Sequence, residues 1–206
     1  MEIAGFSVAD PPEAWTAAGF RLDADGSCRI GGVRVRLVGR AAGRGITGWA
    51  LRGLPAAVDE VDGVPTSLAA AEPTSGAVHP NGVTQLDHAV LMTPDLDRTV
   101  TALAALGTAP RRERDAELGG AAVRQVFYRC GEVVLEVIGT PGVHGAGPAT
   151  LWGLTHTVRD LDAAAALLGE AAGRVKDAVQ PGRRITTLRH RELGMSVPTA
   201  LISAVP

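Results

Sequence analysis

Apolar and polar positions alternate in short runs along most of this chain, and twice the alternation gives way to a helical pattern. Residues 86–92 (LDHAVLM), 121–129 (AAVRQVFYR) and 132–138 (EVVLEVI) are rich in aliphatic and β-branched residues, with Gly131 at a turn. Such segments read as strands. Between the first two lies 93–106, TPDLDRTVTALAAL, an Ala/Leu-rich stretch that predicts a helix. The order then returns as 151–157 (LWGLTHT), 158–168 (VRDLDAAAALL), 184–190 (RITTLRH) and 195–203 (MSVPTALIS). A phrase this long used twice means one structural unit used at least twice. Each copy reads strand, helix, strand, strand, strand, with the third element (110–117 and 174–180) weakest in pattern.

The shared DLD marks the helix starts. Asp95 and Asp160 are expected to be N-caps, with Asp97 and Asp162 favourable to the helix dipole. Gly107 and Gly173 sit where the helices should stop. The first third reads as a worn third copy. Strands are expected over 2–9, 20–24, 28–38 and 46–51, a short helix over 11–19, and Asp10 would match Asp95. Residues 55–83, with scattered Pro, Gly, Ser and Asn, read as a long connection. The expected organisation is a partial unit at 1–54, a connecting segment at 55–83, and two full units, 84–139 and 150–206, within a domain spanning 84–206.

Composition narrows the function classes. Hydrophobic residues make up 46% and charged residues 20%, with a net charge of −2 and no basic run. That argues against nucleic-acid binding. No apolar stretch approaches the ~20 residues that span a bilayer. The start, MEIAGFSVAD, lacks a basic, apolar signal pattern. Cys28 and Cys130 stand alone, so a reduced, cytoplasmic protein is expected and neither thiol is a catalytic candidate. No GxSxG, P-loop or HExxH motif is present.

A tandem βαβββ unit with His in the first strand, DLD opening the helix and Glu in the last strand resembles the vicinal oxygen chelate superfamily. This is the group of glyoxalases, bleomycin-resistance proteins and extradiol dioxygenases. LDHAVLMTPDLDRT (86–99) and GEVVLEVIG (131–139) carry the resemblance, and LWGLTHTVRDLDAA (151–164) with SVPTALIS (196–203) repeats it in degenerate form. It implies an α+β fold in which tandem βαβββ units form a cupped, barrel-like mixed sheet with helices outside. It also implies four inward positions, from the first and last strand of each unit, that surround a divalent metal such as Zn, Ni, Fe or Mn.

His88 and Glu136 match two of those positions. The other two fall on Gly153, seven residues before Asp160 as His88 is before Asp95, and on Ala200, or Thr199 in a slipped register. Glycine and alanine offer no ligand, so the expectation is no cofactor, with a divalent metal on His88 and Glu136 as the alternative. His156 is offset by three residues from Gly153 and should face away, while His190 should lie at the surface and His79 and His144 in exposed loops. Arg183 and Arg184 read as a solvated strand edge.

The remaining cavity would be walled by His88, Gln125, Phe127, Glu136 and Trp152, with Glu136 the catalytic candidate. The expected function is that of a glyoxalase-like protein that binds a small molecule, or acts on it, without metal. The alternative is a metal-dependent lyase, isomerase or dioxygenase using His88 and Glu136. Three units would leave one unpaired, so a homodimer is the expected partner state.

Overall fold

The structure, a computed structural model, describes residues 1–69 and 75–205. Its first part contains β1 (Glu2–Val8), α1 (Pro12–Ala17), β2 (Ser27–Ile30), β3 (Val33–Leu37), β4 (Ile46–Arg52), β5 (Glu60–Val61) and β6 (Val64–Leu68). Then follow β7 (Val83–Met92), α2 (Leu96–Ala105), β8 (Arg112–Leu118), β9 (Ala121–Cys130) and β10 (Val133–Gly139). The last part comprises β11 (Thr150–Val158), α3 (Leu161–Leu168), β12 (Lys176–Asp177), β13 (Arg184–Thr187) and β14 (Thr199–Ser203). The class is α+β, with few helices and strongly curled sheets.

A βαβββ unit is recognised by its first and last strands lying side by side and parallel. β7 pairs with β10 in this way, and β11 with β14. β7 and β11 join antiparallel at the centre, giving an eight-stranded sheet ordered β12-β13-β14-β11-β7-β10-β9-β8. The two-unit reading of the C-terminal region describes this sheet.

The first third departs from expectation. β1 is parallel to β3 but antiparallel to β4. β4 therefore does not close the first unit; it opens another, in which β4 is parallel to β6 and no helix intervenes. Both β5 and β6 lie inside 55–83, the stretch read as a connection. Its scattered polar residues hid two short strands, although Asp62-Gly63 is a hairpin signal. Their φ angles of 50° and 78° fit the two-residue turn that joins twisted strands. The six-stranded N-terminal sheet thus holds two reduced units, and the unpaired unit that called for a homodimer has its partner within the chain.

The two sheets pack against each other through one apolar layer. Phe6, Val8, Val35 and Leu51 enter it from one sheet; Leu86, Leu91, Leu135, Val137 and Leu154 enter from the other. Polar ties fasten the seam. The Asp10 carboxylate accepts from Trp15 Nε1 at 3.1 Å and from the Ser196 amide at 2.7 Å. Asp10 is therefore a bridge between modules, whereas the N-cap of α1 is Pro11, which offers no side-chain cap. Asn81 donates to the Ala18 carbonyl at 2.8 Å, and Arg98 holds Asp62 at 2.5 Å. The expected caps of the other helices form: Asp95 accepts from the Arg98 amide, and Asp160 from the amides of Asp162 and Ala163. α3 stops at Gly169 rather than Gly173.

His156 lies within the shared layer, 5.1 Å from the Phe20 ring and 6.4 Å from Trp15 between centroids. Neither ring nitrogen has a hydrogen-bond partner. Burial, aided by the nearby His79 and His88, pushes its pKa down to about 3 from an ordinary 6.5. A buried imidazole kept neutral supports the fold above pH 6.5 and opposes it increasingly as pH falls toward the folded value. Between pH 7 and pH 5 this one group should remove about 2 kcal/mol of stability. Urea unfolding at the two pH values should show that loss in the parent protein and a loss smaller by about this amount in His156→Phe.

Candidate functional site

The outward face of the eight-stranded sheet is a cup, and strand parity decides what lines it. Val133, Leu135 and Val137 of β10 are fully buried in the shared layer, which turns Val134, Glu136 and Ile138 to the cup. Val126 and Tyr128 of β9 likewise turn Gln125 and Phe127 outward, and Ala89 and Leu91 of β7 do the same for His88 and Val90. Val90, Val123 and Ile138 form a small apolar cluster of their own on this face, with Met92 and Ala116 against it.

Two polar strings stand beside that cluster. In the first, Arg114 donates through Nε to Gln125 Oε1 at 2.8 Å and again through its second nitrogen. Gln125 Nε2 in turn donates to Glu136 Oε1 at 2.5 Å. The Arg114 guanidinium carbon sits 5.9 Å from the Phe127 ring centre. Burial raises the Glu136 carboxyl above its ordinary value, with His88 and Arg114 pulling the other way. In the second string, His88 Nδ1 lies 2.9 Å from Asp87 Oδ1. Asp87 Oδ2 accepts from Arg183 at 2.7 Å and from Thr157 at 3.1 Å. Arg183 is anchored through Nε to the Ser203 carbonyl at 2.8 Å. Burial works to raise the Asp87 carboxyl, but hydrogen bonds from His88 and Arg183, with the charge of Arg183, hold it below the usual carboxylate range.

Asp87 and His88 are neighbours in sequence, and in a regular strand they would face opposite ways. The β7–β11 pairing shifts here: Thr155 opposes His88 while His156 opposes Leu86, so Asp87 is the extra residue of a bulge. The bulge lets both side chains meet. A carboxylate accepting from Nδ1 fixes the ring tautomer and leaves Nε2 as the nitrogen able to take a proton. Sequence reading missed Asp87, because alternation forbids it, and placed Arg183 at a solvated edge. Arg183 is in fact 7% exposed, whereas Arg184 does lie at the surface, paired with Asp162.

Register also locates the remaining pair of family positions. Glu136 opposes Val90 on the neighbouring first strand, and Ala200 opposes Thr155, the residue that corresponds to Val90 by the DLD alignment. Gly153 corresponds to His88, and its backbone is pressed on the chain before β14: an added Cβ would lie 2.8 Å from the Pro198 carbonyl oxygen. One imidazole and one carboxylate therefore remain of four donor positions. Among the described residues no three His, Cys, Asp or Glu side chains come together as a metal would require. This donor set does not fit a tightly held divalent metal.

Not every expected residue reaches the cup. Trp152 is the extra residue of a second bulge, between Leu151 and Gly153, and stands 53% exposed. It lines a separate cleft of about 580 Å³ with Arg44, His190 and Arg191. His144 lies in an exposed loop near Asp95, as expected. His79 is 4% exposed: it accepts from the Arg21 amide at 3.0 Å and bonds the Arg29 carbonyl at 3.0 Å. His156 faces the shared layer, as its offset from Gly153 predicts.

The Asp87–Arg183 pair is nearly closed to solvent, so removing one partner leaves a desolvated charge. Arg183→Met should cost about 3 kcal/mol in urea unfolding. The double variant with Asp87→Asn should recover at least half of that loss.

Comparison with known proteins agrees with this geometry. The family model described as the Glyoxalase/Bleomycin resistance protein/Dioxygenase superfamily matches residues 85–190. No curated protein sequence matches the chain. Among solved structures, a triple mutant of 4-hydroxymandelate synthase from Streptomyces coelicolor is similar at 14% identity and a TM-score of 0.58, over 98% of this chain and 92% of that one. A catechol 2,3-dioxygenase is similar at 14% identity and a TM-score of 0.57, over 99% of this chain and 89% of that one. A xylose isomerase-like TIM barrel/4-hydroxyphenylpyruvate dioxygenase fusion protein reaches a TM-score of 0.62 at 12% identity, over 98% of this chain, which spans 48% of that protein. At these identities the structures speak for the fold alone. By fold, register and family match together, the chain belongs to the glyoxalase/bleomycin resistance protein/dioxygenase superfamily.

Proposed function

We propose that the C-terminal cup binds a small oxygen-bearing molecule and moves a proton on it without a metal. One observation carries the reading: His88 and Glu136 share a face, each held by its own string, while the two partner positions are Gly153 and Ala200. Glu136, raised by burial, is suited to give a proton. His88, its Nδ1 turned to Asp87, offers Nε2 to receive one. Gln125 and Arg114 orient the carboxyl, and Phe127 adds an apolar wall. Buried, unpaired Cys28 and Cys130 suit a reducing cytoplasm. A monomer suffices for this site, because the cup lies within one chain; light scattering at micromolar concentration distinguishes it from a homodimer.

The second reading is a metal-dependent lyase, isomerase or dioxygenase, favoured by the same two residues standing in family ligand positions. Elemental analysis of protein purified without chelator separates the readings. The proposal expects well under one Zn, Ni, Fe or Mn per chain; a stoichiometric metal that disappears in His88→Ala would establish the second reading instead. For proton transfer, the measurement is exchange of the α-hydrogen of small keto and hydroxy acids in D2O, followed by NMR. Glu136→Gln and His88→Phe should each slow exchange by about 10²-fold or more.

Glu136 also has a stability signature. A carboxyl whose folded pKa lies above the unfolded 4.5 costs stability as pH rises through the folded value, and costs nothing below 4.5. Glu136→Gln should therefore raise the melting temperature at pH 8, with the gain fading as pH falls toward 4.5 and below.

A further inference from the structure

The six-stranded sheet has an outward face as well, and its chemistry is unlike that of the other cup. A cavity of about 260 Å³ opens there, lined by Gly5, Ser7, Arg34, Arg36, Arg52 and Ser67 among others. Register explains the shape. Gly5 opposes Arg34 on one side and Ala50 on the other, and Ser7 opposes Arg36 and Gly48. Small residues thus form the floor and arginines the wall. The floor has to be bare at its centre: a Cβ on Gly5 would lie 2.5 Å from the Arg34 carbonyl oxygen.

Among the described residues the three guanidinium groups have almost no counter-charge. Arg34 and Arg52 each have an Nε sealed from solvent and without a hydrogen-bond partner. Arg52 has Glu2 at 3.7 Å, too long for a hydrogen bond, and the Glu2 side chain is 53% exposed. Asp23 and Asp25 feel the field of Arg34, but Asp23 is chelated by Arg29 at 2.6 and 3.0 Å and Asp25 is held by Ser27. Buried donors left unpaired are costly and rare. Here they belong to partly desolvated cations that share one cavity, which concentrates positive potential inside it. Guanidinium forks and serine hydroxyls match the oxygens of a compact dianion.

We propose that this N-terminal cup is an anion-binding site for a small phosphorylated molecule, its phosphoryl group held by Arg34, Arg36 and Arg52. It lies on a different sheet from His88 and Glu136 and is independent of their function. Among the described residues, three cations against one peripheral carboxylate favour a doubly charged group over a single carboxylate. The 260 Å³ available suits a small metabolite rather than a polymer.

The test is titration of the full chain with inorganic phosphate, glycerol phosphate and succinate, against sodium chloride at matched ionic strength. Calorimetry and thermal melting are the readouts. Phosphate and glycerol phosphate should bind saturably and raise the melting temperature. Arg34→Gln and Arg52→Gln should each weaken binding by about tenfold or more. Arg184→Gln, on the other sheet, should leave it unchanged. Arg36 is exposed and its side chain makes no hydrogen bond among the described residues, so Arg36→Gln should fold even where the other two variants do not. It should bind phosphate at least tenfold more weakly while melting no lower than the parent in chloride alone, since one like charge has gone. A response that follows ionic strength only, phosphate binding unaltered in Arg36→Gln, or succinate binding tighter than glycerol phosphate would each overturn the proposal.

Discussion

Two curled sheets share a single apolar layer, and that arrangement dictates where every polar group can go. A strand has two faces, so a residue turned from the shared layer must turn outward. Four units therefore produce two cups that look away from each other. The few polar groups admitted to the seam are bonded or neutral. Asp10 accepts from the Ser196 amide across the seam and from Trp15 of its own module, and Asn81 donates across it to the Ala18 carbonyl. His156 has no hydrogen-bond partner among the described residues, and burial favours its uncharged form. An ionised group there would have no water and no counter-ion.

Strand parity also decides how much was legible beforehand. The DLD phrases with period-two runs around them specify the C-terminal units because capping, helix and strand signals agree at each copy. The same parity places His88, Gln125, Phe127 and Glu136 together. It fails wherever the backbone gains a residue. Asp87 and Trp152 both sit on bulges of the β7–β11 seam, one gained by the site and the other lost from it. Arg183 was misread for a different reason: its partner lies 96 residues earlier, a separation that no local pattern encodes. In the first third the signals are short. β5 has two residues, and only the Asp62-Gly63 turn marks its hairpin.

The two cups show one scaffold supporting opposite electrostatics. Beside the C-terminal cup two arginines are tied to neighbours: Arg114 to Gln125 and Arg183 to Asp87. Charges there act by orienting other groups. In the N-terminal cup Arg34, Arg36 and Arg52 stand without such ties among the described residues, over a floor of small residues. The difference is set by what opposes them in register. Arg114 faces Gln125, whereas Arg34 faces Gly5. Spare volume and spare charge arise together, because a glycine removes both the partner and the bulk.

Gly153 gives the fold a memory of direction. The carbonyl of Pro198 occupies the place where its side chain would begin, and that carbonyl is also bonded to the Leu154 amide at 3.0 Å. Restoring an imidazole at this position would need more than one changed codon. The segment entering β14 would have to retreat, breaking a backbone hydrogen bond and loosening the strand that bears Ala200. A four-ligand centre would therefore need a shifted backbone as well as new donors at both Gly153 and Ala200.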